Sequence, residues 1–328
     1  MKNKIVVIGA GAWGTALANL LAQNNSAPVC LIANNLEVVD EINQKHSNHN
    51  FLPNIILSYN LKSAQNLEEE ASQADFIFIV TPSTASAELL QKIARFNLKP
   101  TCGLVMCSKG LEGSSLKFFH QIIEEILPQK NYAILSGPNF AAEVASKTPT
   151  VTTIATRNQN FAITVAALLK NKYFYAEISA DVVAAEVCGI VKNIMAIGCG
   201  IIDGLDLGQN AKAALVTQGI AEIKLLCEKF SSAGEINNAA GFGDIFLTCA
   251  STKSRNNSLG LSIAQGQNRR ELLSGKKTYE GAVSAKAVDL LAERLQLALP
   301  LCKTVNYILQ NNLAKTEIKS QIISAILH

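Results

Sequence analysis

Apolar residues in the first half of the chain fall in short unbroken runs separated by helix-like segments, whereas later they recur with helical period over long stretches. Runs at 5–8, 29–32, 76–80, 104–107, 132–135, 151–155 and 173–175 have the length of buried strands. Their alternation with helical segments predicts a parallel sheet covered on both faces. Beyond Ala180 the strand signal stops, and Ala, Leu and Ile periodicities run to Leu327. The expected fold class is therefore α/β: a doubly wound parallel-sheet domain over 1–179, then an all-helical domain over 180–328. No Pro/Gly/Ser-rich linker marks the boundary and no internal repeat appears, while 45–50, Lys-His-Ser-Asn-His-Asn, reads as a polar loop.

The first run leads into Gly9-Ala-Gly11-Ala12-Trp13-Gly14 and then an apolar helical segment starting at Thr15. Gly9 allows a tight bend, Gly11 lets backbone N–H groups reach a pyrophosphate, and Gly14 permits close helix–strand packing. A strand before and a helix after the glycines point to a dinucleotide, and make the first domain Rossmann-like. Such folds place an acid after the second strand to bind the adenosine ribose, but here the chain reads Ile32-Ala-Asn34-Asn35. A neutral Asn34 tolerates a 2′-phosphate, which favours NADPH modestly over NADH. No arginine stands beside it, and the alternative is that Asn34 and Asn35 only cap the next helix.

A length of 328 residues suits two domains, and 29 Lys and Arg against 26 Asp and Glu leave no basic stripe for nucleic acid. The eight cysteines form no Cys-x-x-Cys pair, so they read as reduced core thiols, and no metal site is expected. The N-terminal apolar run is too short for a signal peptide, which points to the cytoplasm. Residues 182–202 are long enough to cross a bilayer, yet Glu186, Lys192 and Asn193 interrupt the run, so a buried helix is expected in place of a membrane span.

Four places carry candidate chemistry. Lys109, in Ser108-Lys109-Gly-Leu-Glu112, follows a strand's carboxyl end, where ligands bind in open parallel sheets; the alternative is a solvated loop lysine. In Ser136-Gly137-Pro138-Asn139-Phe140-Ala141 the proline suits a first helical position, so free N–H groups beyond it can meet a ligand or simply start a helix. Lys192 has Cys188, Gly189, Met195 and Ala196 as its helical neighbours, with no acid among them. An apolar setting lowers a lysine's pKa and suits it to general acid–base work, unless it snorkels or pairs with a distant acid such as Asp244. The stretch Ser254-Arg255-Asn256-Asn257, ahead of a helix expected near Leu259, resembles an anion clamp or a plain polar cap. Histidine offers no better proton carrier: His46 and His49 sit in the polar loop, His120 in a sheet-covering helix, and His328 at the end.

Taken with Phe51-Leu-Pro53, Val191-Lys-Asn193, Gly241-Phe-Gly-Asp244 and Glu280-Gly281, these motifs resemble, nearly end to end, the bacterial-type NAD(P)-dependent glycerol-3-phosphate dehydrogenases. The resemblance implies interconversion of dihydroxyacetone phosphate and sn-glycerol 3-phosphate, supplying phospholipid synthesis. It implies that Lys192 exchanges the proton, with Lys109 and Asp244 completing the catalytic cluster. Gly137, Asn139, Ser254, Arg255 and Asn256 match substrate contacts. Gly9, Gly11, Ala12, Trp13, Gly14, Asn34, Lys109, Ala141, Arg255 and Glu280 match cofactor contacts. Departures fall at Ala12, Asn34 and Thr278-Tyr279, which bear on cofactor preference. The expected partner is a small phosphorylated substrate, and the apolar helical domain suits a homodimer. A 2-hydroxy acid dehydrogenase of similar architecture and a catalytically silent NADP(H)-binding regulator are the alternatives at this stage.

Overall fold

The eight strands β1 (Ile5–Ile8), β2 (Val29–Ile32), β3 (Leu61–Ala64), β4 (Phe76–Ile79), β5 (Gly103–Met106), β6 (Tyr132–Ser136), β7 (Thr150–Ala155) and β8 (Phe174–Ser179) form one sheet in the order β3-β2-β1-β4-β5-β6-β7-β8. The structure, a computed structural model, describes residues 3–275 and 278–327. β1, β2, β4 and β5 are buried at every position, as strands covered on both faces must be. β1 pairs in parallel with β2 and with β4, Ile5 standing opposite both Val29 and Phe76. The strand order reverses at β1, and the loops after β1 and β4 flank that switch point, where a doubly wound sheet opens a ligand crevice.

Two strand features depart from the sequence reading. β3, Leu-Lys-Ser-Ala, is an edge strand with alternating burial, so it lacks the apolar run that marks the others. The sheet is also not wholly parallel, because β6 and β7 run antiparallel, Leu135 opposite Ile154. The link between them holds only the five-residue helix Ala141–Ala145 and not a full crossover helix.

By its internal contacts the chain divides into two units: residues up to Ser108 with Phe118–Val182, and Lys109–Lys117 with Val183 onward. The sheet lies in the first. In the second, the helix Val182–Gly204 has the mean hydropathy of a membrane span, 1.7, but is buried throughout its apolar window by other helices. Glycines let those helices approach: a Cβ on Gly200 would collide with the Asn257 carbonyl, and one on Gly260 with the Ile197 carbonyl. All eight cysteines are buried and stand outside any disulfide.

Candidate active site

The turn after β1 has the shape that a dinucleotide needs. Gly9 has φ +114, and a Cβ there would stand 2.7 Å from the Val80 carbonyl oxygen. A Cβ on Gly14 would strike the Gly9 carbonyl, whereas at Gly11 nothing lies within 4 Å of the same position. The turn is thus packed where it meets the sheet and open where a pyrophosphate would approach. Gly11 is the N-cap of helix Ala12–Asn24, which has no side-chain cap and no acid in its first turn, so its leading N–H groups and positive dipole end are offered to an anion. These residues fit a dinucleotide phosphate. Ala12, Trp13 and Ala141 pack together with Ala16, Leu52 and Ala145 beside the turn. Asn34 is exposed, and Asn35 caps helix Leu36–Lys45 by accepting from Glu37 N at 2.8 Å, as the capping alternative holds.

The polar stretch 45–50 contains a residue that sequence reasoning passed over. Asn48 is fully buried and donates through Nδ2 to the Ala10 carbonyl at 3.0 Å and to Thr15 Oγ1 at 2.8 Å. Its own carbonyl accepts from Phe51 N and Leu52 N. Asn48 therefore ties the Phe51-Leu-Pro53 motif to the glycine turn. His46 and His49 flank it, His120 is buried beside Phe118, and His328 lies outside the described residues.

After β6, Pro138 sits in a bend and not at a helix start; the helix begins at Ala141 with Phe140 as N-cap. Asn139 Nδ2 donates to Thr152 Oγ1 at 2.9 Å, and Thr152 Oγ1 donates to the Ser136 carbonyl at 3.0 Å. A Cβ on Gly137 would lie 2.9 Å from Thr152 Cα, so the glycine keeps this turn flat on β7.

In the second unit, three sequence-distant residues converge. Lys192, at the centre of helix Val182–Gly204, is 6% exposed, and Asp244 is 2% exposed. Lys192 Nζ lies 3.3 Å from Asp244 Oδ1 and donates to Thr248 Oγ1 at 2.9 Å and Asn193 Oδ1 at 3.1 Å. Lys109 Nζ donates to Asp244 Oδ2 at 2.6 Å. The π-helical turn Ala239–Gly243 sets Asp244 at the first position of helix Asp244–Ala250, and Thr248, one turn on, donates to Asp244 Oδ1 at 3.2 Å. Lys192 thus has an acid, supplied from outside its own helix, and Lys109 is ion-paired in place of being a solvated loop lysine.

A second layer holds this cluster. Asn193 Nδ2 donates to the Gly189 carbonyl, which turns its oxygen toward Lys192 Nζ. The same oxygen accepts from Asn256 Nδ2 at 3.0 Å, and Asn256 Oδ1 accepts from Gly281 N at 3.0 Å. Asn256 thereby links the lysine to the start of helix Glu280–Leu295. Helix Arg255–Ala264 begins four residues earlier than the Leu259 start that sequence suggests, with Ser254 as N-cap accepting from Asn257 N. The apolar run begins late because the first turn spends its polar residues on these bonds. Arg255 is exposed, while Ser254 and Asn256 are buried.

Burial pushes the Lys192 ammonium below the ordinary lysine range; Asp244 opposes that shift, and the Lys109 charge reinforces it. Burial likewise pushes the Glu280 carboxyl up, against the pull of Arg255, Lys109 and Lys192. The three cations Lys109, Lys192 and Arg255 outnumber the two acids Asp244 and Glu280. An excess of positive charge of this kind suits an anionic substrate and a developing alkoxide. Sequence spacing could have flagged Thr248, four residues after Asp244 on a helix, but Asn48 and Thr152 carry no signal outside the folded chain.

Comparison with known proteins agrees with this geometry. Residues 4–162 match the model of the NAD-dependent glycerol-3-phosphate dehydrogenase N-terminus, and residues 181–320 match that of the C-terminus. The chain is 39% identical to glycerol-3-phosphate dehydrogenase [NAD(P)+] of Caulobacter vibrioides, over 95% of this chain and 94% of that protein. It is 37% identical to the enzyme of the same name from Rhodospirillum rubrum, over 98% and 92% respectively. The crystal structure of glycerol-3-phosphate dehydrogenase from Coxiella burnetii superposes with a TM-score of 0.93 at 32% identity, covering 100% of this chain and 99% of that one. With the glycine turn, the buried Lys192–Asp244–Lys109 cluster and both family regions in place, the chain belongs to the NAD-dependent glycerol-3-phosphate dehydrogenase family.

Proposed function

We propose that this protein interconverts dihydroxyacetone phosphate and sn-glycerol 3-phosphate with NADH or NADPH, and that Lys192 carries the proton. The observation that supports this most directly is the buried Lys192 ammonium, lowered in pKa and hydrogen-bonded to Thr248 and Asn193 beside Asp244. Bound NAD(P)H supplies the hydride. Lys192 Nζ gives its proton to the oxygen of the substrate carbonyl as negative charge develops there, and takes it back in the reverse direction. Asp244 holds both ammonium groups in place, so Lys109 adds its positive charge beside Lys192. Arg255, Ser254 and Asn256 hold the phosphate, while Gly137 and Asn139 contact the rest of the substrate. Fixing the substrate in this way makes the transfer effectively intramolecular.

Gly9, Gly11, Ala12, Trp13, Gly14, Asn34, Lys109, Ala141, Arg255 and Glu280 are the proposed cofactor contacts. The neutral, exposed Asn34 supports some preference for NADPH. The product supplies phospholipid synthesis from the cytoplasm. A homodimer is supported by exposed Phe242 and Phe246 on the helical unit, 56% and 66% accessible, and is tested by light scattering after size exclusion.

The deciding experiment follows loss of NADPH absorbance, then NADH absorbance, on adding dihydroxyacetone phosphate. Oxidation with either cofactor supports the reading. Oxidation with a 2-oxo acid but not with the phosphorylated ketone, or cofactor binding with no turnover, would overturn it.

A further inference from the structure

We propose that Thr152 is a specificity-determining positioning residue: it locks the Asn139 amide so that the side-chain oxygen is presented as the acceptor for the free hydroxyl of the substrate. This deepens the functional reading above and rests on it.

The direction of the Asn139 amide follows from hydrogen counting. Thr152 is fully buried on β7, and its one hydroxyl hydrogen goes to the Ser136 carbonyl, which is an acceptor only. Thr152 Oγ1 therefore has only lone pairs to offer Asn139, so the amide group facing it must be the Nδ2 donor, at 2.9 Å. The Asn139 oxygen is thereby turned away from Thr152. That oxygen is itself buried and has no hydrogen-bond partner among the described residues. A buried amide oxygen left without a hydrogen costs about 1–3 kcal/mol, so its place in the fold is explained when a ligand brings a donor.

Among the groups on dihydroxyacetone phosphate, only the free hydroxyl has a hydrogen to donate. The phosphate and the ketone are acceptors, and they find their donors in Arg255, Lys109 and Lys192. Thr152 also backs Gly137, whose Cβ would stand 3.0 Å from Thr152 Oγ1, so a single buried hydroxyl sets both residues of the turn.

The test compares dihydroxyacetone phosphate with hydroxyacetone phosphate, which carries a methyl group in place of the free hydroxymethyl. The ratio of their kcat/KM values is measured in the wild type and in three variants, with KM for NADPH measured alongside. Thr152→Val keeps the shape but removes the hydroxyl, freeing the amide to flip, and should shrink the preference for the hydroxylated substrate about tenfold with KM for NADPH unchanged. Thr152→Ser should retain the wild-type ratio. Asn139→Leu leaves the Thr152–Ser136 bond in place and should shrink the ratio at least as far, which decides the matter if the valine variant fails to fold. A wild type that reduces dihydroxyacetone phosphate while the Thr152→Val and Asn139→Leu ratios stay unchanged overturns the proposal. So does a rise in KM for NADPH with no change in ratio, which would assign the oxygen to the cofactor. A wild type that reduces neither ketone overturns the functional reading beneath it.

Discussion

Lys192 Nζ stands 3.3 Å from Asp244 Oδ1, but Asp244 gives its shorter contact, 2.6 Å, to Lys109. The carboxylate is shared, so each lysine feels both the acid and the other cation. Because burial is the largest influence on Lys192 and Lys109 pushes in the same direction, the ammonium loses its proton below the ordinary 10.5.

This arrangement sets the alkaline limb of the rate profile. Ketone reduction needs Lys192 charged, so its kcat/KM should fall as pH rises through the lowered pKa, while alcohol oxidation rises over the same range. Removing the like charge with Lys109→Met should move the limb to higher pH, and Asp244→Asn should move it lower. Lys192→Met should cost about 100-fold or more in turnover, with cofactor binding by fluorescence nearly intact. A Lys109→Met profile that coincides with the wild type after normalisation would remove the coupling from the account.

Asn48 makes a prediction about the other unit. Both Nδ2 hydrogens are committed, one to the Ala10 carbonyl and one to Thr15 Oγ1, so the amide braces the turn on both sides of Gly11. Asn48→Asp keeps the shape but cannot donate, and should raise KM for NADPH about tenfold with kcat little changed. Equal rises in KM for NADPH and for the ketone, or a fall confined to kcat, would show that the brace does not act on the cofactor turn.

The legible parts of this protein are those where local sequence carries its own constraint. Gly9 and Gly14 announce the turn because no other residue meets its φ and its clearances, while Gly11 leaves the approach open, and β1 announces itself by being apolar throughout. β3 stays hidden because an edge strand with one wet face needs few apolar residues. Asp244 is visible as a lone acid after glycines, but its distance from two lysines is a property of the fold. Lys192 reads as an unpaired charge for the same reason: its acid arrives from another helix. Asn48 lies in a segment whose composition suggests solvent, and only the packed structure shows that it is dry.

Glu280 should be a source of instability at neutral pH. Burial raises its carboxyl pKa above the unperturbed 4.5, and the nearby cations do not fully compensate. A carboxyl raised on folding favours the folded state below the unfolded value and loses that contribution as pH climbs through the folded one. Glu280→Gln should therefore melt a few degrees higher than the wild type near pH 8, with the gap closing as pH falls through the raised value and gone below 4.5. Thermal melts of the two proteins across that range test it; a gap that persists unchanged at low pH would assign the effect to packing and not to ionisation.

Glu222 makes the opposite case for a buried acid. It is 0% exposed on helix Gln209–Lys229, yet Oε1 accepts from Leu301 N at 2.6 Å and Oε2 from Cys302 N at 3.0 Å. Those N–H groups lie at the start of helix Pro300–Gln310, where Pro300 has no N–H of its own to satisfy. The carboxylate therefore closes the open end of one helix from inside another, with the helix dipole in its favour, and Gln218 Nε2 adds a third donor at 3.2 Å. Glu222→Ala removes the acceptor and leaves a cavity and buried donors, so it should cost about 3–5 kcal/mol. Glu222→Gln keeps one acceptor oxygen and should cost less than half of that. Urea unfolding reads both as falls in midpoint with the slope preserved. A glutamine variant as stable as the wild type beside a destabilised alanine variant would mean that volume, and not the paired hydrogen bonds, is what Glu222 contributes to joining these two helices.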